Sequence, residues 1–347
     1  MAALKHTKNS HCHKANSNPT LMLYLHLLAI AAGLALLVWS ADKFVMGASA
    51  TAYNLGVPTL IIGIIIMGFG TSAPEIFVGA IAAWQNNTGV AIGNAIGSNI
   101  ANIALVLGIG ALIAPLTVSS QVLRREYPML FGVTIFLLML MWNLELSRVD
   151  GLLLLFAAIG MTLWLAWLSL RSSRHADPLE TEFDAEVPHN IGTQKAVLWT
   201  FASLVILIGS SHLLVWGAVE MAHHFGINDL VIGLTIVAIG TSLPELAVTV
   251  SAALKKEHDI IVGNVIGSNM FNSLAVIGVA SSIQPSGLSA LVLYRDFAVM
   301  LALTIAMFIM AYGFRGAGKI NRIEAVVLIL CYLGYMGWLY QSEIATV

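Results

Sequence analysis

The sequence predicts an all-α integral membrane protein with ten transmembrane helices, arranged as two five-helix repeats of inverted topology. Three observations carry that expectation. The 347 residues are 58% hydrophobic and only 10% charged, with a mean hydropathy of +0.87, whereas soluble domains carry about 25% charged residues. The apolar residues gather into ten runs, several of which reach the roughly 20 residues that a spanning helix needs. One string also occurs twice: GFGTSAPE at 68–75 returns as AIGTSLPE at 238–245.

Taken in order, residues 1–20 form a polar N-terminal tail. His11, Cys12 and His13 offer it soft-metal ligands, but no spaced Cys/His pattern accompanies them, so they read as part of a disordered tail. The next run shows no small-residue cleavage site and reads as a retained helix. Helices are expected at 21–41, 59–83, 89–114, 127–143 and 150–170, which make a first repeat of 21–170. The polar stretch 171–194 is acidic and too short for a folded domain, so it reads as a cytoplasmic linker. Helices at 195–218, 229–254, 259–284, 293–313 and 322–341 then make a second repeat within 195–347. Cys12 and Cys331 fall in the tail and the last helix, which argues against a disulfide. No basic tract suggests nucleic acid, no cofactor is implied, the lipid bilayer is the expected surrounding, and the chain is taken as a monomer.

The halves align at a constant offset over about a hundred residues. GNAIGSNIAN (93–102) matches GNVIGSNMFN (263–272), Pro115 matches Pro285, and VLRRE (122–126) matches VLYRD (292–296). Towards the end the offset drifts, pairing SRVDG (147–151) with NRIEA (321–325). Five helices per half is an odd number, so the second half enters the membrane from the opposite side. The loops after the odd-numbered helices hold Lys43, Arg124, Arg125, Arg171, Arg174, Lys195, Lys255, Lys256, Arg315, Lys319 and Arg322. The other side holds Lys5, Lys8, Lys14, Arg148 and Arg295. By the positive-inside rule the richer side is cytoplasmic and both termini face outward, in a plasma (inner) membrane.

Of 18 acidic residues, Glu75 and Glu245 alone read as lying well inside apolar runs. A carboxylate at that depth is costly and needs a partner, and no Lys or Arg lies at similar depth to supply an ion pair. A permanently protonated carboxyl is the plainer alternative, but two carboxylates at equivalent positions favour a cation site. Thr71 and Ser72 precede Glu75 by four and three residues, which would put them on one helical face. Ser98 with Asn102, and Ser268 with Asn272, repeat a spacing of four. These are hard oxygen ligands, suited to Na⁺ or Ca²⁺ rather than zinc or copper. Pro74 and Pro244 remove the N–H that would pair with the carbonyls of Gly70 and Gly240, predicting broken helices that expose backbone oxygens. Arg125–Glu126 and Arg295–Asp296 are expected as interfacial anchors, Asp42 and His212 as solvated, and His26 as a packing residue. GFRGAGKI (313–320) misses a phosphate loop at Ile320.

At GTSAPE…GSNIAN and GTSLPE…GSNMFN the sequence resembles the calcium/cation antiporter superfamily, the sodium/calcium exchangers, and in particular its short prokaryotic members. The resemblance implies four cation sites among the second, third, seventh and eighth helices. A calcium site would use the Glu75 and Glu245 carboxylates with the carbonyls of Thr71 and Thr241. One sodium site would use Ser98, Ser242, Glu75 and the carbonyl of Gly68; the other Ser72, Ser268, Glu245 and the carbonyl of Ala238. Asn102 and Asn272 would complete the middle, and the first and sixth helices would slide to alternate access. Many relatives carry Asp where this chain has Asn272, and some proton-coupled ones carry further carboxylates here. The expected function is therefore Ca²⁺/Na⁺ antiport by alternating access, with Ca²⁺/H⁺ or Na⁺/H⁺ antiport as the rival and a cation channel behind it. An intramembrane enzyme is disfavoured, since neither GxGD nor DDxxD occurs.

Overall fold

The computed structural model describes residues 19–57, 70–118, 122–172, 190–312 and 318–344. The tail ligands His11, Cys12 and His13, most of the linker, and Gly68 lie outside the described residues. The helices are α1 (Pro19–Asn54), α2 (Ala73–Trp84), α3 (Thr88–Ile113), α4 (122–141), α5 (Arg148–Ser172) and α6 (Thr193–Phe225). They continue as α7 (Asp229–Thr241), α8 (Leu243–Lys255), α9 (His258–Ile283), α10 (Val292–Ala311) and α11 (Arg322–Ile344). Among the described residues, α1, α3, α5, α6, α9, α10 and α11 are each long and apolar enough to cross a membrane. The pair α7–α8, bent by 43°, adds an eighth candidate span. The protein is an all-helical integral membrane protein. Of the expected 59–83 helix, only the part from residue 70 is described.

Two helices outrun their expected ends. α1 continues to Asn54 rather than 41, and α6 to Phe225 rather than 218. Hydroxyls along this stretch are satisfied within the helix: Ser40 donates to the Leu37 carbonyl at 3.1 Å, Ser49 to Val45 at 2.7 Å and Thr51 to Gly47 at 2.7 Å. Asp42 and Lys43 pair at 2.8 Å on the helix surface. α6 stops only at Gly226, whose φ of +66° closes the helix in the left-handed region. α1 and α6 pack along one another through small residues; a Cβ on Gly47 would lie 2.7 Å from the Thr200 nitrogen.

The centre belongs to α3 and α9. In each, 78% of the spanning window is buried, against 22–28% for α1, α5, α6 and α11, which face outward. Two short antiparallel clips tie the halves of the chain together: β1 (Leu116–Thr117) pairs with β4 (Lys319–Ile320), and β2 (Glu145–Leu146) with β3 (Ser286–Gly287). Each clip joins residues far apart in sequence, which is why no local pattern announced it.

Wide π-helical turns interrupt several helices. Those at Asn102–Val106 and Asn272–Val276 begin at aligned asparagines, and those at Val122–Glu126 and Val292–Phe297 at aligned valines. Such turns concentrate at functional sites. The first pair begins at the last residue of GSNIAN in α3 and of GSNMFN in α9.

Arg295 and Asp296 correct an expectation. They are not interfacial anchors but are 3% and 0% exposed, paired at 2.8 Å. Arg295 also donates to Ser342 at 2.7 Å, and Tyr335 donates to Asp296 at 2.9 Å, so α11 closes over the pair. Asp296 is thus a third fully buried carboxylate that hydropathy alone did not reveal.

Candidate functional site

Both glutamates follow a helix break of the same shape. Ser72 has φ −86° and ψ 4°, and Ser242 has φ −82° and ψ 5°; each precedes a helix with proline in its first turn. Proline cannot extend the preceding helix, so the chain turns and restarts, carrying Glu75 and Glu245 in the first turns of α2 and α8. A carboxylate is favourable there, next to the unpaired N–H groups of a helix start.

The break overturns one local expectation. Thr71 and Ser72 are not stacked below Glu75 on a continuous helix. The Thr71 hydroxyl lies 3.3 Å from that of Ser268 and 3.5 Å from Asn264 Oδ1, both on α9. Ser72 donates to Glu245 Oε1 at 3.5 Å. Thr241 and Ser242 are in turn the hydroxyl neighbours of Glu75, although neither closes a hydrogen bond to it. The halves therefore serve each other: the hydroxyls of one face the carboxylate of the other.

Ser98 on α3 lies 3.4 Å from the Ala238 carbonyl and 3.4 Å from the Thr241 hydroxyl. The Ala238 carbonyl thus has Ser98 as a neighbour, a residue that the resemblance had placed in the other sodium group. Glycines permit this crossing. A Cβ on Gly93 would meet the Leu230 carbonyl at 2.4 Å, and one on Gly97 the Leu234 carbonyl at 2.7 Å, so α3 approaches α7 at backbone contact.

Sequence reasoning missed Asn94 and Asn264. Asn94 donates to the Glu75 carbonyl at 3.2 Å, and Asn264 to the Glu245 carbonyl at 3.3 Å. Their own oxygens accept from Thr241 at 2.9 Å and Thr71 at 3.5 Å. The two amides join each glutamate turn to the threonine of the opposite half. The signal was present in the repeated GN of GNAIGSN and GNVIGSN, whose Asn precedes the Ser by four residues and so shares its helical face.

What remains is a set of buried polar atoms without protein partners. Glu75 Oε1 and Oε2, Glu245 Oε2, Ser242 Oγ, Asn102 Oδ1 and both amide atoms of Asn272 lack hydrogen-bond partners. Glu75, Glu245, Asn102 and Asn272 are each 0% exposed. Buried polar atoms are normally paired, and an unpaired buried carboxylate is costly. Two facing carboxylates among hydroxyls and amides can hold one divalent or several monovalent hard cations, which would supply the missing partners. The described residues include no group of three or more His, Cys, Asp or Glu, so a softer metal finds no set of its own. Gly68, the remaining expected donor, lies outside the described residues.

Fold and site together describe a polytopic helical membrane protein with hard-oxygen groups at its centre. The chain belongs to the family described as sodium/calcium exchanger protein, which matches residues 25–167 and 195–341. That family is one of membrane antiporters for cations. The chain is similar to CaxA of Alkalimonas amylolytica, with 46% identity over 316 residues, 90% of this chain and 98% of CaxA. It is 32% identical over 348 residues to the sodium/calcium exchanger MaX1 of Methanosarcina acetivorans, covering 91% of this chain and 98% of MaX1. The solved sodium-calcium exchanger NCX_Mj, soaked with Na⁺ and no Ca²⁺, superposes with a TM-score of 0.61 at 28% identity, covering 91% of this chain and 99% of that one.

Proposed function

We propose that the protein exports Ca²⁺ in exchange for Na⁺ by alternating access. The observation that carries this reading is the pair of fully buried carboxylates Glu75 and Glu245, of whose four oxygens only Glu245 Oε1 has a hydrogen-bond partner. Two negative charges balance one Ca²⁺ or most of the charge of a few Na⁺. Either load offsets the cost of burial, so the loaded protein crosses between states more readily than the empty one, and exchange follows. Thr71, Thr241, Ser72, Ser242, Ser98, Ser268, Asn102, Asn272, Gly68 and Ala238 complete the ion ligands in this reading, through hydroxyls, amides or carbonyls. The neutrality of Asn102 and Asn272 supports sodium rather than protons as the coupling ion, because an amide ligates Na⁺ but does not titrate near neutral pH.

The same reading takes the chain as ten spans in two inverted five-helix repeats, 21–170 and 195–347, joined by the cytoplasmic linker 171–194. The hydrogen bonds of Asn94 and Asn264, the two proline breaks and the paired π-helical turns support it, since each recurs at aligned positions. Both termini face outward, and the protein works in the plasma membrane as a monomer without a cofactor. The test is ⁴⁵Ca²⁺ uptake into proteoliposomes under an imposed Na⁺ or pH gradient. A sodium gradient should drive uptake and a pH gradient alone little. Robust uptake in sodium-free buffer, driven by a pH gradient and lost with Glu75→Gln, would instead establish proton coupling.

A further inference from the structure

The aligned halves are not in the same conformation. On α6, Leu214, Val215 and Ala218 are 0% exposed, packed in one cluster with Val78, Ala82 and Ala83 of α2. Their aligned counterparts on α1 are Phe44, Val45 and Ala48, and all three are only half-buried. The counterparts on α8 are Val248, Ala252 and Ala253, the same residue types as on α2. Val78 is fully buried, whereas Val248 is half-buried; Ala252 and Ala253 are buried, but in a separate cluster that includes no residue of α1. Among the described residues, α6 lies along α2, while α1 makes no comparable packing on α8.

A polar contact marks the closed side. Gln85 at the end of α2 and His212 on α6 meet at 2.7 Å between the amide nitrogen and ring Nδ1. Their aligned counterparts are Lys255, at the end of α8, and Asp42 on α1. These two are oppositely charged and apart in this state: Asp42 pairs with its neighbour Lys43 at 2.8 Å, and Lys255 is exposed.

In an inverted-repeat carrier the second access state is reached when each repeat takes up the conformation of the other. We propose that Gln85–His212 and Asp42–Lys255 are alternating latches: the first holds the α2 end shut in the state seen here, and the second holds the α8 end shut in the opposite state. In that opposite state Phe44, Val45 and Ala48 pack on the half-buried Val248 face of α8, and α6 leaves α2. The inference rests on the inverted-repeat reading above. Leaving Lys43 costs Asp42 little, since exposed ion pairs contribute about 0–1 kcal/mol. The two latches differ in chemistry. One is an amide–imidazole hydrogen bond and the other an ion pair, so salt screens the second more than the first.

The experiment uses the full chain in proteoliposomes with Cys12→Ser and Cys331→Ser as background. Gln85→Cys with His212→Cys, and Asp42→Cys with Lys255→Cys, are each treated with an oxidant in Na⁺, in Ca²⁺ and without either. Both pairs should bridge, their yields should move in opposite directions as the bath changes, and each bridge should stop exchange until reduced. Absence of an Asp42–Lys255 bridge in every bath, or a bridged protein that still exchanges at full rate, overturns the proposal. As a check that needs no cysteine, Asp42→Lys or Lys255→Asp alone should slow exchange several-fold, and the two together should restore it. Additive loss in the double variant would likewise overturn it. Single cysteines at Gln85 and Lys255, probed with an impermeant thiol reagent, separate the levels. Labelling from opposite faces keeps the inverted reading, so a missing bridge then removes the latch alone; labelling from the same face removes both.

Discussion

The sequence repeats itself at two places with opposite results. At Glu75 and Glu245 the halves build nearly the same structure: the same break, the same proline and the same amide bond to the glutamate carbonyl. At VLRRE and VLYRD they diverge. Arg295 and Asp296 are buried and paired, whereas Arg125 and Glu126 are half-buried and Arg125 Nε has no partner. The cause lies on another helix. α11 supplies Tyr335 and Ser342, while the aligned positions of α5 carry Met161 and Leu168. A charge pair can be buried only when further hydrogen bonds satisfy it, so the half that has the partners closes and the half without them stays at the surface. A repeated motif predicts a repeated structure only as far as its partners also repeat.

The strongest way to break the likeness is at the carboxylates. Glu75→Gln and Glu245→Gln should each abolish calcium exchange, measured as ⁴⁵Ca²⁺ flux, while the purified protein remains monodisperse. Near-normal flux in either variant would remove that glutamate from the ion site. The contrast at the arginines predicts a stability effect instead. Asp296→Ala leaves Arg295 buried without its anion and should cost about 3–5 kcal/mol. Glu126→Ala, at a half-buried position without such a network, should cost less than about 1 kcal/mol. Thermal unfolding of the two purified variants measures the difference, and equal melting shifts would contradict the account of the buried network. Smaller still, Asn94→Ala and Asn264→Ala each remove one hydrogen bond to a glutamate carbonyl, a net loss of about 1 kcal/mol. Each should weaken calcium affinity by about fivefold, and by similar amounts in the two halves. Unequal losses would show that the halves are less alike at the site than their hydrogen bonds imply.

The distribution of what was legible follows the range of each interaction. The spanning helices, the broken turns at Pro74 and Pro244 and the buried glutamates depend on neighbours in sequence, and the sequence displays them. The partner of each hydroxyl does not. Thr71 meets Asn264 and Ser268, and Ser98 meets Ala238, across the molecule rather than along one helix. The short strands were illegible for the same reason. Asp296 was hidden because it lies at the start of a helix, where hydropathy cannot tell a solvated acid from one covered by α11.

The finest comparison lies between Asn102 and Asn272. They align, and both begin a π-helical turn. Asn102 donates its amide to Asn269 Oδ1 at 3.2 Å, while neither amide atom of Asn272 has a partner. Asn102→Asp therefore replaces a donor with an acceptor opposite an oxygen and loses a hydrogen bond as well. Asn272→Asp breaks no hydrogen bond and adds an anion to the cation site. Sodium-driven calcium exchange should thus survive Asn272→Asp better than Asn102→Asp. The new carboxylate binds cations when ionised and releases them when protonated, so exchange by Asn272→Asp should fall more steeply than wild type as pH drops. Flux measured across a pH series for the three proteins decides the point. A pH profile unchanged by Asn272→Asp would mean that position 272 does not face the transported ions, and sodium coupling would lose the argument from its neutrality.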